Sequence, residues 1–242
     1  MGKFGGWSIV VEESSSTLFV KMNLKIVIAD LTIKKTTNLL KLVNAIKSQL
    51  KKSYQINYST LFTSPMSSFD NNNRVIINSG LDGFPSRRID LPVKKMVTVS
   101  FNLQYRIVRN PDQRMNSEHL IMIKEDGGEM TNIYGHSHGI GGNAVSLNLI
   151  FVDNMIKGLD NNTIAHELGH TLSLLHVDQP VTFQHDPRQY LPVSQRAINS
   201  TNIMFSGGSS YNNDLTSTTV VGNQINVIID AYRKGKLNLN IN

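Results

Sequence analysis

Two histidines and a glutamate have the spacing needed to hold a metal ion and activate water. His166 and His170 lie four residues apart, and Glu167 lies between them. On a helix, residues at this spacing project from nearly the same face, so both imidazoles can reach one ion. Glu167 is close enough to take a proton from a water on that ion without binding the ion itself. Neutral imidazoles suit Zn²⁺, so the pattern predicts zinc-assisted hydrolysis.

A third imidazole is available at His176, six residues after His170. A continuous helix would place it about 9 Å further along the helix axis. The helix must therefore end, and the chain must turn after about Ser173. Three histidine ligands leave a fourth position for water, which is typical of catalytic zinc. The alternative, a surface helix with two solvated histidines, is disfavoured by the apolar residues of this stretch, which are Ile164, Leu168, Leu172, Leu174 and Leu175.

This segment resembles the signature of the metzincin zinc endopeptidases, H-E-x-x-H-x-x-G-x-x-H followed by a Met-containing turn. The three histidines and Glu167 stand at the corresponding positions, and residues 202–205, Asn-Ile-Met-Phe, resemble the Met turn. The resemblance implies that His166, His170 and His176 are the metal ligands and Glu167 the general base. It also implies that Met204 lies beneath the metal as an apolar floor and is not a ligand.

Two departures from the family pattern affect these expectations. Ser173 stands where the family has glycine, and a positive φ at a residue other than glycine costs about 1 kcal/mol. The turn is therefore either made by a different geometry or strained. Ser206 stands where astacin-like and serralysin-like members have a tyrosine ligand, so we expect three protein ligands plus water. No subfamily is assigned.

The remaining sequence must supply the elements that position this segment. Alternation and helical periodicity predict several elements around it. The predicted strands are Leu18–Asp30, Tyr54–Thr60, Met96–Val108, His119–Lys124 and Ala144–Val152. The predicted helices are one capped by Thr36 or Thr37 that runs to about Lys52, Asp160–Leu175, and Val221–Lys234 with Gly235 as its stop signal. Gly127–Gly142 is expected to be an irregular loop.

These elements, with the resemblance, predict an α/β (α+β) fold of the metzincin-like zincin type. It would have a twisted mixed sheet, a backing helix, a zinc-binding active-site helix and an irregular C-terminal subdomain closed by a C-terminal helix. We expect one catalytic domain over residues 1–242. Its N-terminal subdomain would span about 15–175 and its C-terminal subdomain about 176–242.

The other histidines are weaker candidates for metal binding. His136 and His138 could hold a second, structural ion, as in some metzincins. Two histidines without nearby acidic partners are, however, more typical of a loop. His119 and His185 are expected to be incidental. The chain has no cysteine, which excludes disulfides and thiolate ligands.

Charge and hydropathy argue against nucleic acid and membranes as partners. The net charge of +6 arises within residues 1–60, where nine lysines face three acidic residues. A solvated helix face explains this excess better than an anionic partner, because no aromatic residues are interleaved with the lysines. The longest nearly apolar stretch, Ala144–Val152, is far shorter than the roughly 20 residues of a membrane-spanning helix.

The N-terminus lacks the pattern of a secretory signal peptide, since two glutamates interrupt its apolar run. This feature, the missing cysteines and the abundance of Asn, Lys and Ile lead us to expect a bacterial protein. It would be secreted, or delivered out of the producing cell as part of a larger chain.

The predicted activity is that of a zinc-dependent endopeptidase acting on a protein or peptide substrate. One catalytic Zn²⁺ would lower the pKa of its water towards about 7 and polarise the scissile carbonyl. Glu167 would accept the proton and later deliver one to the leaving amine. The substrate is expected to pair in extended form with a sheet edge formed between about Tyr134 and Val152. Phe205–Tyr211 would then wall the pocket beyond the scissile bond.

Two alternatives stay open at this point. In one, the chain is a zinc hydrolase whose third ligand is a distant glutamate, and His176 is incidental. In the other, it is a zinc-stabilised interaction or delivered-toxin module without general proteolytic activity.

Overall fold

A mixed sheet forms the structural base of the described chain. The computed structural model describes residues 5–34, 37–62, 74–77, 87–90, 93–179 and 187–239. The strands are β1 (Trp7–Glu13), β2 (Thr17–Asp30), β3 (Asn57–Phe62), β4 (Arg74–Ile77), β5 (Arg87–Asp90), β6 (Val93–Val108), β7 (His119–Lys124), β8 (Gly135–Ser137) and β9 (Ala144–Asn148). The helices are α1 (Leu39–Tyr54), α2 (Leu149–Lys157), α3 (Thr163–Thr171), α4 (Val193–Arg196) and α5 (Gly222–Arg233).

The main sheet contains parallel and antiparallel pairs. Its strand order is β3-β6-β2-β7-β9-β8, and β1 also pairs with β2. β2 runs parallel to β6 and β7, and β7 runs parallel to β9. The outer strands β3 and β8 are antiparallel to their neighbours, and β4 and β5 form a separate hairpin. The expectation of a mixed sheet in an α/β fold is confirmed.

Helix α1 packs on one face of this sheet, as predicted for the backing helix. Every second residue of β2 from Leu18 to Ile28 is buried on the face that meets the helix. The helix begins later than predicted, because Asn38 rather than Thr36 or Thr37 is its N-cap and accepts a hydrogen bond from the Lys41 N–H. It also ends later, since Tyr54 belongs to the helix and β3 begins at Asn57.

Two other element predictions were incomplete. The predicted strand Ala144–Val152 ends at Asn148, whose side chain accepts the Ile150 N–H and starts α2. Leu149–Val152 is therefore helical. Strand β1 was not predicted from the sequence; it pairs antiparallel with β2 from Trp7↔Leu24 to Glu13↔Leu18.

The helix that carries the histidine motif is shorter than the predicted Asp160–Leu175. It begins at Thr163, with Asp160 Oδ1 accepting hydrogen bonds from the N–H groups of Asn162 and Thr163, and it ends at Thr171. The closing helix α5 is confirmed, with Gly235 at a φ of +68° beyond its end. None of the described helices is both long and apolar enough to cross a membrane.

Candidate metal centre

Helix α3 and the turn after it bring three imidazoles to one point. His166 and His170 are buried one helical turn apart, and their ring centroids are 4.8 Å from each other. His176 returns to them, with its Nε2 3.2 Å from the Nε2 of His166. One ligand atom from each of the three histidines lies within 4.8 Å of the others.

Backbone carbonyls set the orientation and the tautomer of two of these rings. Nδ1 of His166 lies 2.7 Å from the Ile203 oxygen, and Nδ1 of His170 lies 2.8 Å from the Leu174 oxygen. A carbonyl only accepts, so each Nδ1 carries the proton and each Nε2 keeps a free lone pair. Burial lowers the pKa of His166 to about 4 and that of His170 to about 3. Neutral imidazoles with free Nε2 atoms are a suitable donor set for a metal ion.

The return of His176 depends on a left-handed residue after α3. Ser173 has a φ of +65°. Its N–H donates to the His170 oxygen, and the Leu174 N–H donates to the Gly169 oxygen, which together make a Schellman ending. The turn therefore adopts the left-handed conformation with serine in place of glycine. The sequence left open a different turn geometry or a strained one, and the structure has the strained one.

Gln189 stabilises this turn, a contact that sequence analysis does not predict. The residue is buried; its Oε1 accepts the Leu175 N–H at 2.8 Å and its Nε2 donates to the Ser173 oxygen at 3.2 Å. An isolated glutamine in an irregular segment carries no signal of such a contact.

Met204 lies against α3 at the glycine inside the motif. The side chain is fully buried, and a Cβ added to Gly169 would lie 2.6 Å from Met204 Sδ and 2.9 Å from Tyr54 Oη. The same turn supplies the Ile203 oxygen that holds His166, and the Val177 N–H donates to the Met204 oxygen. Glycine at 169 therefore allows the turn 202–205 to pack directly on the helix.

Ser206 contacts a carboxylate rather than the histidines. Its N–H and its Oγ donate to the two oxygens of Asp178, at 3.0 and 2.8 Å. This pair joins the chain after His176 to the turn 202–205. Asp178 was not singled out in the sequence.

Glu167 lies beneath the edge strand β8, because Gly135 has no side chain to separate them. A Cβ on Gly135 would be 2.9 Å from both Glu167 Cγ and Thr163 Cγ2. Burial raises the pKa of Glu167 above its ordinary value, and it outweighs the opposing effects of the nearby imidazoles and of the Ser137 N–H, which donates to the carboxylate.

The free edge of β8 faces a cavity of about 960 Å³ lined by the three histidines and Glu167. The His138 N–H donates to Ala144, and the Asn148 N–H donates to Tyr134, so even-numbered residues of this segment bond to β9. The N–H and C=O groups of Gly135 and Ser137 therefore point away from β9. The Ser137 N–H donates to the Glu167 carboxylate, and the Ser137 oxygen accepts the Gly139 N–H at 2.9 Å. Among the described residues of β8, Gly135 thus presents its backbone groups to the cavity.

The expected pocket wall, Phe205–Tyr211, is wrong in part. Phe205 is fully buried and packs on Tyr211, with ring centroids 5.6 Å apart. Gly207 lines the cavity, but the wall continues beyond the predicted range to Asn212 and Asp214. The apolar character of Phe205 places it in the core behind the wall.

The remaining histidines are not part of the triad, although His136 lines the same cavity and its charge acts on Glu167. His136 and His138 have ring centroids 5.4 Å apart, and His138 Nε2 lies 2.8 Å from Ser146 Oγ. Within the described residues, the triad is the only group of three or more His, Cys, Asp or Glu side chains placed to share one ion, and His136 and His138 do not belong to such a group. The second ion stays a prediction. His119 is buried and bonds to the backbone of Gly6 and Gly142. His185 lies outside the described residues.

Comparisons with known proteins give a weak structural similarity. No family model matches the sequence, and no curated protein does. Among solved structures, metalloproteinase-II from Bacteroides fragilis is similar over 90% of this chain and 53% of its own, at 11% identity and a TM-score of 0.39. The chain thus spans about half the length of that protein.

Proposed function

We propose that this chain is a zinc-dependent endopeptidase of the metzincin type. His166, His170 and His176 would hold the ion, and Glu167 would be the general base. The observation that carries the proposal is the convergence of the three imidazoles within 4.8 Å, beside Glu167, in a cavity bordered by a free strand edge. The buried Met204 under α3 and the left-handed turn at Ser173 support the family assignment.

The substrate would bind in extended form, antiparallel to β8. The backbone N–H and C=O groups of Gly135, which face the cavity, would pair with its main chain. This pairing would hold the scissile carbonyl beside the histidines and in front of Glu167. Orientation of this kind accounts for a large part of the rate gain in hydrolysis.

Proton transfer would be the role of Glu167. When bound, Zn²⁺ supplies Lewis acidity that polarises the scissile carbonyl and acidifies the attacking water. The Glu167 carboxylate accepts a proton from that water as the new C–O bond forms. It then delivers a proton to the leaving nitrogen as the C–N bond breaks. The Ser137 N–H holds the carboxylate in place for both transfers.

The first experiment compares cleavage of a mixed fluorogenic peptide library by the wild type and by Glu167→Gln, both loaded with zinc. We expect cleavage by the wild type, loss of cleavage on chelation, and a decrease of at least about 100-fold in Glu167→Gln. Zinc content equal in the two proteins, with no cleavage by either, would favour the non-catalytic module. Equal cleavage by both would contradict the role of Glu167.

The second experiment tests the third ligand. His176→Ala should lose most of its zinc affinity, because His176 Nε2 converges on His166 Nε2. His138→Ala is the matched control, since His138 bonds to Ser146 and should leave zinc binding unchanged. Zinc bound per chain after dialysis against a weak chelator is the measurement. Full occupancy in His176→Ala would favour the hydrolase with a distant glutamate ligand.

A further inference from the structure

The cavity has two chemically different ends along α3. Near the start of the helix it is lined by Asn162, Asn212 and Asp214, and near the end of the helix it is lined by Ile140 and Leu175. Asp214 and Glu167 are its acidic residues, and no lysine or arginine of the described chain lines it. The end that holds Asp214 is therefore negative, although the chain as a whole has a net charge of +6.

A second carboxylate lies behind Asp214. Asp160 is 1% exposed, and its Oδ1 accepts the two N–H groups that start α3. Its Oδ2 is buried and has no hydrogen-bond partner among the described residues. The Asn161 N–H donates to the Asp214 backbone oxygen at 2.7 Å, which holds the two acidic residues close together.

This pair of carboxylates lacks a neutralising partner on the described chain. Burial, and then the negative charge of Asp160, raise the pKa of Asp214. Two carboxylates that lie close together are stabilised by a cation placed against them. An ammonium group offers three N–H donors and a guanidinium group offers five, and the Asp214 carboxylate in the cavity can accept them.

The strand direction assigns this end to one side of the substrate. β8 begins above the first turn of α3, where Gly135 meets Thr163. The chain then passes along the helix to Gly141, whose N–H donates to the His170 oxygen. A substrate antiparallel to β8 has its C-terminal half at the Gly135 end, where Asp214 lies. Asp214 therefore faces the part of the substrate that follows the scissile bond.

We propose that Asp214, with Asp160 behind it, selects substrates with a lysine or arginine immediately after the scissile bond. This inference rests on the proposed endopeptidase function. At the opposite end, Ile140 and Leu175 also line a second cavity of about 420 Å³, where Lys234 and Lys236 lie beside Asp230, whose carboxylate is paired with Arg188. A basic side chain before the scissile bond would meet these like charges, so the preference is confined to one side.

Peptides that differ in a single residue test this selection. The series carries lysine, norleucine or glutamate directly after the cleaved bond; norleucine has the apolar length of lysine without its charge. For the wild type we expect kcat/KM for lysine to exceed that for norleucine by about tenfold, and glutamate to be the poorest. In Asp214→Asn the ratio of lysine to norleucine should fall to near one. Asp153→Asn, which removes an exposed carboxylate on α2, should leave the ratio unchanged.

Binding of the same peptides to zinc-loaded Glu167→Gln separates this inference from the proposed function. Cleavage by the wild type with a ratio near one, or a ratio that survives Asp214→Asn, overturns the selection and leaves the peptidase standing. Tighter binding of the lysine peptide without any cleavage supports the selection and counts against the peptidase. No cleavage and no binding preference overturns both.

A calcium titration separates a basic side chain from a metal ion at this end of the cavity. We expect millimolar Ca²⁺ to leave the preference for lysine and the melting temperature unchanged. A rise in melting temperature that Asp214→Asn abolishes, together with loss of the preference, would make the acidic end a metal site and overturn the proposal.

Discussion

At the scale of single residues, Ser173 shows how the backbone brings the third histidine to the other two. The metzincin motif that this segment resembles has glycine at this position, because the left-handed conformation is free of strain only without a Cβ. This chain adopts a φ of +65° with serine, and Ser173 Oγ donates to the Lys236 oxygen at 3.1 Å. Hydrogen bonds from Gln189 to the same turn stabilise a conformation that the residue itself disfavours.

The strain at this position predicts the order of two variants. Ser173→Gly and Ser173→Ala both lose the hydroxyl, but only alanine keeps a Cβ in the left-handed region. We expect Ser173→Gly to have a free energy of unfolding about 1 kcal/mol higher than Ser173→Ala. Urea denaturation of the zinc-free proteins measures the difference. Equal stabilities would mean that the turn relaxes to another geometry when the hydroxyl is removed.

At the scale of elements, the packing of α3 on the turn 202–205 depends on one missing side chain. A Cβ on Gly169 would lie within 2.6 Å of Met204 Sδ. The Ile203 oxygen of this turn orients His166, so displacement of the turn would also disturb a proposed ligand. The helix and the turn therefore act as one unit.

Gly169→Ala tests this contact. Alanine favours a helix by up to about 1 kcal/mol over glycine, yet we expect a net loss of about 1–3 kcal/mol in the free energy of unfolding from overpacking. In a Met204→Ala background the loss should shrink, giving a coupling of at least about 1 kcal/mol in guanidinium denaturation. Gly207→Ala is the control, because a Cβ there meets nothing within 4 Å. An equal loss of stability in both backgrounds would show that Met204 is not what the added methyl group meets.

The elements that the sequence predicts well are those with long periodic patterns. The motif helix, the closing helix and the strand Met96–Val108 have clear repeats, and each is present in the structure. The predicted strand Ala144–Val152 is longer than the observed one, because one apolar run contains both a strand and the start of a helix. Only the N-cap Asn148 separates them. β8 was not predicted, because its three residues, Gly-His-Ser, are too few to show an alternation of apolar and polar side chains. Gln189 and Asp178 bond to residues that are distant in the sequence, so the local spacing of residue types does not predict these contacts.

At the scale of the whole molecule, both described ends of the chain meet at the end of the motif helix. The Trp7 N–H donates to Asn238 Oδ1, and Asn238 Nδ2 donates to the Trp7 oxygen. Trp7 Nε1 donates to Thr171 Oγ1 at 2.8 Å. β1 and the tail after α5 are thus joined behind the turn that carries His176. The predicted boundary between subdomains near residue 175 stays a prediction.

His119 connects the first described residues to the loop before β9, and its chemistry makes that connection depend on pH. The Gly6 N–H donates to Nδ1 at 2.8 Å, so the proton resides on Nε2 and faces the Gly142 oxygen at 3.1 Å. Protonation of Nδ1 would place a hydrogen against the Gly6 N–H inside a fully buried site. Burial accordingly lowers the pKa of His119 to about 3.

A histidine held neutral in the folded state makes the protein less stable as the pH falls. The unfolded chain binds the proton near pH 6.5, whereas the folded chain binds it only near pH 3. The contribution of neutral His119 to the free energy of unfolding is therefore complete above pH 6.5 and is lost as the pH falls from 6.5 to about 3. His119→Asn keeps an acceptor for Gly6 but has no such titration. We expect His119→Asn to be less stable than the wild type at pH 7.5. The difference between their free energies of unfolding should be smaller by about 2–3 kcal/mol at pH 4.5. Urea denaturation of both proteins across this range is the measurement; the other histidines titrate in both and cancel in the difference. A gap that does not change with pH would show that His119 takes up a proton in the folded protein as readily as in the unfolded chain.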